Sequence, residues 1–511
     1  MTKITKRRRF LATLGSGSIA LAAGCTGRLA GNREGNGGED GSNNNDQNSN
    51  GNKDGKQQVP PPAIDHGDVV SNFDDDFGEW YAVDGDLTAD EEIVLTGSQT
   101  ARIENTGATA AIARTFPEGF DMTGKHLSLA VQVETPRPAR VTVRILASGE
   151  SDQVWGTRTI LSKYTGWLRM DVGYTGQRGE PRFDNVQEIR IRLDDPNAAQ
   201  ASGGQGNQGG GNQENQSNGN QSNGNQSRGN QGNQSNGNQG NGNQSGRNQG
   251  NQGNYIILAD QEGDGTQETQ DEQNGTDIRF WVDDLRTTPA ADQGYVMLTF
   301  DDAVGSQYEN AFPLFEERDM QAVAAVVPDS LNREGRLSID QLREMRDAGW
   351  DISSHPEGPA FREFEDPDAI QQDIEDAYEY LDNRGFPDGA RHMFVPYHTT
   401  NEEIVEITRE YHELSSYFGG SPNAVPFTDP LHLSRVNMFD LDVFTSMIDI
   451  AAEYNQLAIG LAHGVVPKSE IGNDPLADMT TEQLEQLLTY IENSDVQLVT
   501  ASDLLDNQDT L

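Results

Sequence analysis

The stretch Tyr295-Val296-Met297-Leu298-Thr299-Phe300-Asp301-Asp302 is an apolar run that ends on two adjacent carboxylates. A run of that length fits a strand buried on both faces. Buried strand positions do not accommodate charge, so the pair belongs at the strand's end, at the mouth of a barrel or sheet. Two anions side by side repel unless a cation lies near them. If a metal ion holds one of them, the other stays free as a base beside a metal-bound water. The plainer reading is a strand end whose aspartates cap the next turn, and the rest of the chain has to decide between the two.

Downstream, strands alternate with helices. The pattern predicts a helix near Glu309 to Arg318, a strand over Ala322 to Val327, and a helix capped by Ser338 that buries Ile339, Leu342 and Met345 and ends at Gly349. It continues with a strand from Asp351 to His355, a helix from Pro367 to Arg384, a strand from His392 to Tyr397 and a helix from Asn401 to Glu413. Strands Leu414 to Phe418 and Leu433 to Met438, a helix to Tyr454, a strand Ala458 to His463, a helix Thr480 to Glu492 and a strand Val496 to Thr500 complete it. Such repetition predicts a parallel α/β barrel over residues 291–511, with its chemistry at the C-terminal strand ends. Polar side chains fall at those ends: Asp301 and Asp302, His355, Tyr397 and His398, and His463. Acidic and imidazole groups converging from separate strands favour a metal or acid-base site over scattered capping.

Upstream, residues 67–290 read differently. Leu127, Leu129, Val131 and Val133 alternate with polar positions, as do Val141, Val143 and Ile145, and later Ile189, Ile191 and Leu193. Period two with frequent Gly, Pro and Asp turns predicts an all-β sandwich. Residues 197–254 interrupt it with Gly-Asn-Gln and Ser-Asn-Gly-Asn-Gln repeats, which lack the apolar residues a core needs, and the sheet is expected to resume at Tyr255-Ile256-Ile257-Leu258. Asn-Gln-Ser sequons begin at Asn215, Asn220, Asn225, Asn233 and Asn243, and Asn274-Gly275-Thr276 adds another; repeat composition also generates such triplets by chance. Asn72 to Trp80, Thr96-Gly97-Ser98-Gln99 and Phe280 to Leu285 resemble the jelly-roll carbohydrate-binding modules attached to glycan enzymes. Asp76 and Asp283 are then candidates for a structural calcium ion, or are solvated carboxylates. Trp80, Trp155, Trp167 and Trp281 either stack on sugar or fill the core.

The N-terminus begins with Lys6-Arg7-Arg8-Arg9-Phe10-Leu11 and an apolar run from Leu14 to Ala23, too short for an ordinary membrane span. Arg7-Arg8 with Phe10-Leu11 resembles a twin-arginine export signal, and Leu21-Ala22-Ala23-Gly24-Cys25 resembles a lipobox. Residues 1–25 are therefore expected to be a lipoprotein signal, with Cys25 the lipid anchor of an exported, cell-surface or extracellular protein. Residues 26–66 read as a polar tether stiffened by Pro60-Pro61-Pro62. Cys25 is the sole cysteine, which excludes an intramolecular disulfide and a thiolate zinc cage. With 82 acidic against 37 basic residues the net charge is -45, the wrong sign for nucleic acid or an anionic membrane surface. An acidic excess with few lysines fits a protein kept hydrated at high salt, as in a halophile.

The barrel resembles the polysaccharide deacetylase family, carbohydrate esterases built on a distorted (β/α) barrel of the NodB type. Thr299-Phe300-Asp301-Asp302, Ser354-His355 and Leu461-Ala462-His463-Gly464 match three of its motifs. The resemblance implies a divalent metal, zinc or another, held by Asp302 and His355, with Asp301 as general base and His463 as general acid. It places the oxyanion on the metal and on the Tyr397 backbone N–H. The implied reaction is hydrolysis of N-acetyl groups on a polysaccharide. Two positions depart from the pattern. Pro359 stands where the second metal histidine belongs, leaving Glu357 or His398 as third ligand, and the arginine that orients the base is missing before Val395-Pro396-Tyr397. Arg435, in Leu433-Ser434-Arg435-Val436, is the expected substitute from a neighbouring strand. An O-acetyl esterase and a glycan-binding barrel without turnover remain as alternative readings.

Overall fold

The computed structural model describes residues 64–74, 77–134, 138–147, 149–160, 164–196, 277–356, 358–364, 366–398 and 400–507. All of them belong to one compact unit. The signal, the lipobox with Cys25, the tether, the low-complexity insert, Tyr255 to Leu258 and the six sequons lie outside the described residues. No described helix is long and apolar enough to cross a membrane.

The first part is a sandwich of two antiparallel sheets, built from β1 (Asp68–Ser71), β2 (Trp80–Asp84), β3 (Asp86–Asp90), β4 (Thr100–Asn105), β5 (Thr109–Phe120), β6 (Lys125–Val133), β7 (Ala139–Leu146), β8 (Gln153–Ile160), β9 (Trp167–Asp171), β10 (Gly176–Arg178), β11 (Val186–Asp194) and β12 (Ile278–Pro289). One sheet runs β3-β4-β12-β6-β9 with β1 also on β12, the other β10-β8-β7-β11-β5-β2. The alternating residues named above meet between the sheets: Leu127, Leu129 and Val131 of one face Val141, Val143, Ile189 and Ile191 of the other, all inaccessible to water. Trp80, Trp167 and Trp281 are buried too, Trp281 donating its indole N–H to Asp90 at 2.9 Å. Half-buried Trp155 lies under the Arg144 guanidinium. The three buried rings pack within the domain.

Seven parallel strands follow: β13 (Gly294–Phe300), β14 (Val323–Val326), β15 (Asp351–Ser354), β16 (His392–Phe394), β17 (Leu414–Phe418), β19 (Leu433–Asn437) and β20 (Gln456–Ala462), with the two-residue β18 (Asn423–Ala424) between β17 and β19. Pairing runs in sequence order and β20 returns to β13, closing the barrel. Helices Ile339–Asp347, Pro367–Asp382, Glu402–Arg409, Leu441–Tyr454 and Thr481–Asn493 pack outside it. Ser338 and Thr480 each start a helix with a reciprocal capping box, which satisfies donors the first turn leaves open.

Several expected boundaries move for local reasons. The helix expected from Glu309 is a π-turn over Gln307–Ala311 followed by the short helix Phe312–Glu316, since Pro313 has no N–H for a regular ladder. The strand from His392 stops at Phe394, because Pro396 and Tyr397, at φ 51°, turn the chain. The strand expected at Val496 is β23 (Val496–Leu498), which pairs with Gly294 to Val296 outside the ring. A second pair that periodicity did not predict, β21 (Gly464–Val466) with β22 (Ala477–Thr480), continues the chain beyond β20.

The connection from β17 to β19, residues 419–432, carries no helix. The sandwich fills that place. Met393, Val395 and Tyr417 on the outside of the barrel join Phe361, Ile370, Ile374, Ile404 and the sandwich residues Tyr164, Leu168 and Val172 in one continuous cluster. Polar contacts line the same contact: Asp171 accepts from Thr428 N and Oγ1 at 2.9 and 2.6 Å, and Tyr164 Oη lies 2.9 Å from His432 Nε2. Gly173 allows the closest approach, because a Cβ there would come within 1.7 Å of the Pro422 carbonyl oxygen.

Candidate active site

Asp301 follows the last residue of β13, where its N–H still donates to Ala462 O at 2.9 Å and its side chain turns into the mouth of the barrel. Its carboxylate is buried and accepts from Arg435 Nη1 through both oxygens, at 2.8 and 3.0 Å. Arg435 is inaccessible to water and also reaches Thr299 Oγ1 at 3.3 Å. Burial pushes the Asp301 carboxyl up, but the charges of Arg435, His355 and His463 outweigh it and hold it below the ordinary range. The structure thus brings Arg435 onto Asp301 from another strand of the ring.

Asp302 and Ala303 take left-handed conformations, φ 72° and 52°, a strained turn after which both carboxylates face His355, Asp301 Oδ2 standing 3.9 Å from its Nε2. Asp302 Oδ1 lies 3.4 Å from His355 Nε2. The other ring nitrogen, Nδ1, lies 2.6 Å from Phe394 O and donates there, so Nε2 is the nitrogen that faces Asp302, a donor while the ring is protonated and a lone pair once it is not. Burial pushes the imidazole down, but the charges of Asp301 and Asp302 prevail and raise it. Burial pushes the Asp302 carboxyl up, yet the hydrogen bond and charge of His355 prevail and bring it to about 2. Arg336 Nη1 donates to Asp302 O at 2.5 Å and stands 3.9 Å from its Oδ2.

His463, just past β20, takes two hydrogen bonds with Asp478 on β22: its N–H to Oδ1 at 3.0 Å and its ring Nδ1 at 2.7 Å from Oδ2. Burial pushes the imidazole down, but Asp478 and the two aspartates of the mouth raise it to about 9. It is therefore protonated at neutral pH with Nε2–H directed away from Asp478. Gln307 ties the two halves together, donating from Nε2 to Asp301 O at 2.6 Å and His463 O at 3.1 Å. Sequence reasoning missed both Asp478 and Gln307. The alternation Ala477-Asp478-Met479-Thr480 was the available signal for the first; the second lies in a π-turn that no propensity marks.

Tyr397 sits at the end of β16 with its hydroxyl accepting from Arg362 Nη2 at 2.8 Å and that guanidinium over its ring. Glu357 and the side chain of His398 lie outside the described residues. Pro359 opens the helix Pro359–Glu363 and offers no ligand. Among the described residues no three His, Cys, Asp or Glu side chains form a metal cluster. Asp302 and His355 stand 3.4 Å apart with Nε2 toward the carboxylate, a spacing that two ligands of one ion can have. In the sandwich, the fully buried Asp283 accepts from Leu95 N, Thr96 N, Thr96 Oγ1 and Asp284 N at 2.7–3.2 Å. Those four donors replace the calcium shell expected of it, and Asp76 lies outside the described residues.

Comparison with known proteins agrees with the barrel's motifs. The polysaccharide deacetylase family model matches residues 288–412. The putative polysaccharide deacetylase YxkH of Bacillus subtilis is 26% identical over 115 residues, 22% of this chain and 41% of the relative, so the match spans about two fifths of that protein. Among solved structures, the Streptococcus pyogenes deacetylase PplD in complex with acetate is 22% identical, covering 30% of this chain and 69% of that one with a TM-score of 0.26. The family 4 carbohydrate esterase of Streptomyces lividans, also in complex with acetate, is 13% identical over 40% of this chain and 92% of that one, TM-score 0.29. Behind its N-terminal β-sandwich, the C-terminal half of the chain carries a polysaccharide deacetylase domain of the NodB type.

Proposed function

We propose that the chain is an exported, metal-dependent deacetylase that hydrolyses N-acetyl groups of a surface or extracellular polysaccharide. The observation that carries this reading is the opposed pair at the barrel mouth: a carboxylate kept ionised by Arg435 and an imidazole kept protonated by Asp478. A base and an acid poised in opposite protonation states at one pH are what amide hydrolysis needs, the base to deprotonate water and the acid to protonate the departing amine. Asp301 is the base and His463 the acid. Asp302 and His355 would hold the divalent ion, zinc fitting the mixed nitrogen and oxygen donors, with Glu357 or His398 as third ligand. When bound, it would polarise the acetyl carbonyl as a Lewis acid. Arg435 restrains Asp301, Gln307 fixes the carbonyls of both strand ends, and the Tyr397 N–H is the proposed second oxyanion donor. The proposed export signal and lipid anchor at Cys25 support a position at the cell surface, and the acidic composition is consistent with high salt.

The replacement of a metal histidine by Pro359 favours a second reading, a glycan-binding barrel without turnover. Metal content of the full chain purified in high salt, followed by acetate release from chitooligosaccharide and from acetylxylan, separates them. Bound metal with acetate from the first substrate supports the proposal. Acetate from acetylxylan alone makes the protein an O-acetyl esterase. No metal and no acetate from either leaves the binding reading.

A further inference from the structure

Among the described residues three arginines are wholly buried: Arg158, Arg169 and Arg435. Arg169 pairs with Asp284 and Arg435 with Asp301, but Arg158, on β8 of the sandwich, has no carboxylate within ion-pair distance among the described residues. A buried cation without a counter-ion costs stability that an apolar side chain of the same length would not. What it has instead is a fan of neutral acceptors, three of them in the barrel. Nη2 donates to Asn423 Oδ1 at 3.0 Å and to Asp171 O at 3.4 Å, Nη1 to His432 O at 3.1 Å, and Nε to Ser421 Oγ at 3.4 Å.

Those partners hold β19. Asn423 grips the Ser434 backbone from both sides, Oδ1 accepting its N–H at 2.7 Å and Nδ2 donating to its carbonyl at 2.9 Å. Ser421 N donates to Ser434 Oγ at 3.0 Å, and Gly420 N donates to Arg435 O at 3.1 Å. Side chains alternate along a strand, so fixing the Ser434 peptides from outside the barrel fixes where the next side chain, Arg435, enters it. We propose that Arg158 is a positioning residue for the catalytic base: through Asn423 and Ser434 the sandwich sets β19, and with it the Arg435 guanidinium on Asp301. The catalytic half of this statement rests on the function proposed above.

The test uses the full chain carrying Arg158→Met. Amide hydrogen exchange of the β19 peptide is expected to speed up about five- to tenfold, the equivalent of a lost hydrogen bond. Acetate release is expected to lose kcat by roughly ten- to a hundredfold, the scale of a small misplacement, with KM within about twofold. In an Arg435→Met background the same substitution should lower kcat no further, because its route to Asp301 is gone. Arg158→Lys, which keeps charge but not the fork, should restore only part of the rate. Should Arg158→Met fail to fold, Asn423→Ser breaks the same link and is read in the same way. A folded variant with unaltered β19 exchange overturns the proposal, as does a kcat loss that adds in full to that of Arg435→Met. If the unsubstituted chain releases no acetate, the catalytic reading fails and exchange alone decides whether Arg158 sets β19.

Discussion

Replacing Arg435 by Met tests the buried pair at the mouth without relying on turnover. Arg435 is inaccessible to water and its Nη1 serves both oxygens of Asp301. Removing it strands a buried carboxylate, and breaking a buried pair from one side costs about 3–5 kcal/mol. Removing the charge as well, with Asp301→Asn in the same chain, should recover part of that loss, giving a coupling of roughly 2–3 kcal/mol between the two sites. The pH dependence has a definite sign. With Arg435 present the folded carboxyl titrates below its ordinary 3.8, so its contribution is complete above that value and is lost as pH falls through the lower folded one. Without Arg435, burial, the largest single influence on this carboxyl, is opposed only by His355 and His463, so the folded value is expected to rise and the penalty to fade on acidification. Urea unfolding at pH 7 and pH 5, read by circular dichroism, should show the gap between parent and variant narrowing at the lower pH. Molar salt should change the gap little, since buried pairs are weakly screened. A loss under about 1 kcal/mol, or additive single and double variants, would refute the reasoning.

Further outcomes follow from other contacts. Asp478→Asn removes the partner that raises His463 from 6.5 to about 9, so the alkaline limb of the rate profile should move down toward neutrality; an unmoved limb excludes His463 as the acid. Asp301→Asn should abolish acetate release while metal content stays as in the parent, and retained activity would remove Asp301 as base. Gly173→Ala should destabilise the chain by roughly 1–3 kcal/mol in a thermal melt, because the added methyl meets the Pro422 carbonyl at 1.7 Å; no change in Tm would mean that the sandwich gives way there.

The barrel and the sandwich were legible because their periodicities differ sharply, period two before Pro289 and strand-helix alternation after Gly294. The strand ends also announced themselves, since Asp301 and Asp302 close one apolar run and His463 another, while His355 ends a short strand between two turns. Arg435 was reachable only by asking which cation replaces a missing one. Asp478 was not, because it belongs to a pair of short strands beyond the ring, and short strands carry too few residues to show a period. Asp283 misled for another reason: composition cannot distinguish a carboxylate that binds calcium from one that accepts four protein donors. For the tryptophans the sequence left two roles open, and burial decides three of them in favour of packing.

The helix absent between β17 and β19 bears on how this chain can be cut and recombined. Appended modules are ordinarily interchangeable, since each carries its own finished surface. Here Met393, Val395 and Tyr417 have their cover supplied from an earlier stretch of the polypeptide. A gene fragment starting near Pro289 would translate a barrel with a raw apolar flank, prone to cluster with its own copies. Trading the sandwich for an unrelated module would leave the same flank bare unless the newcomer carried a matching face.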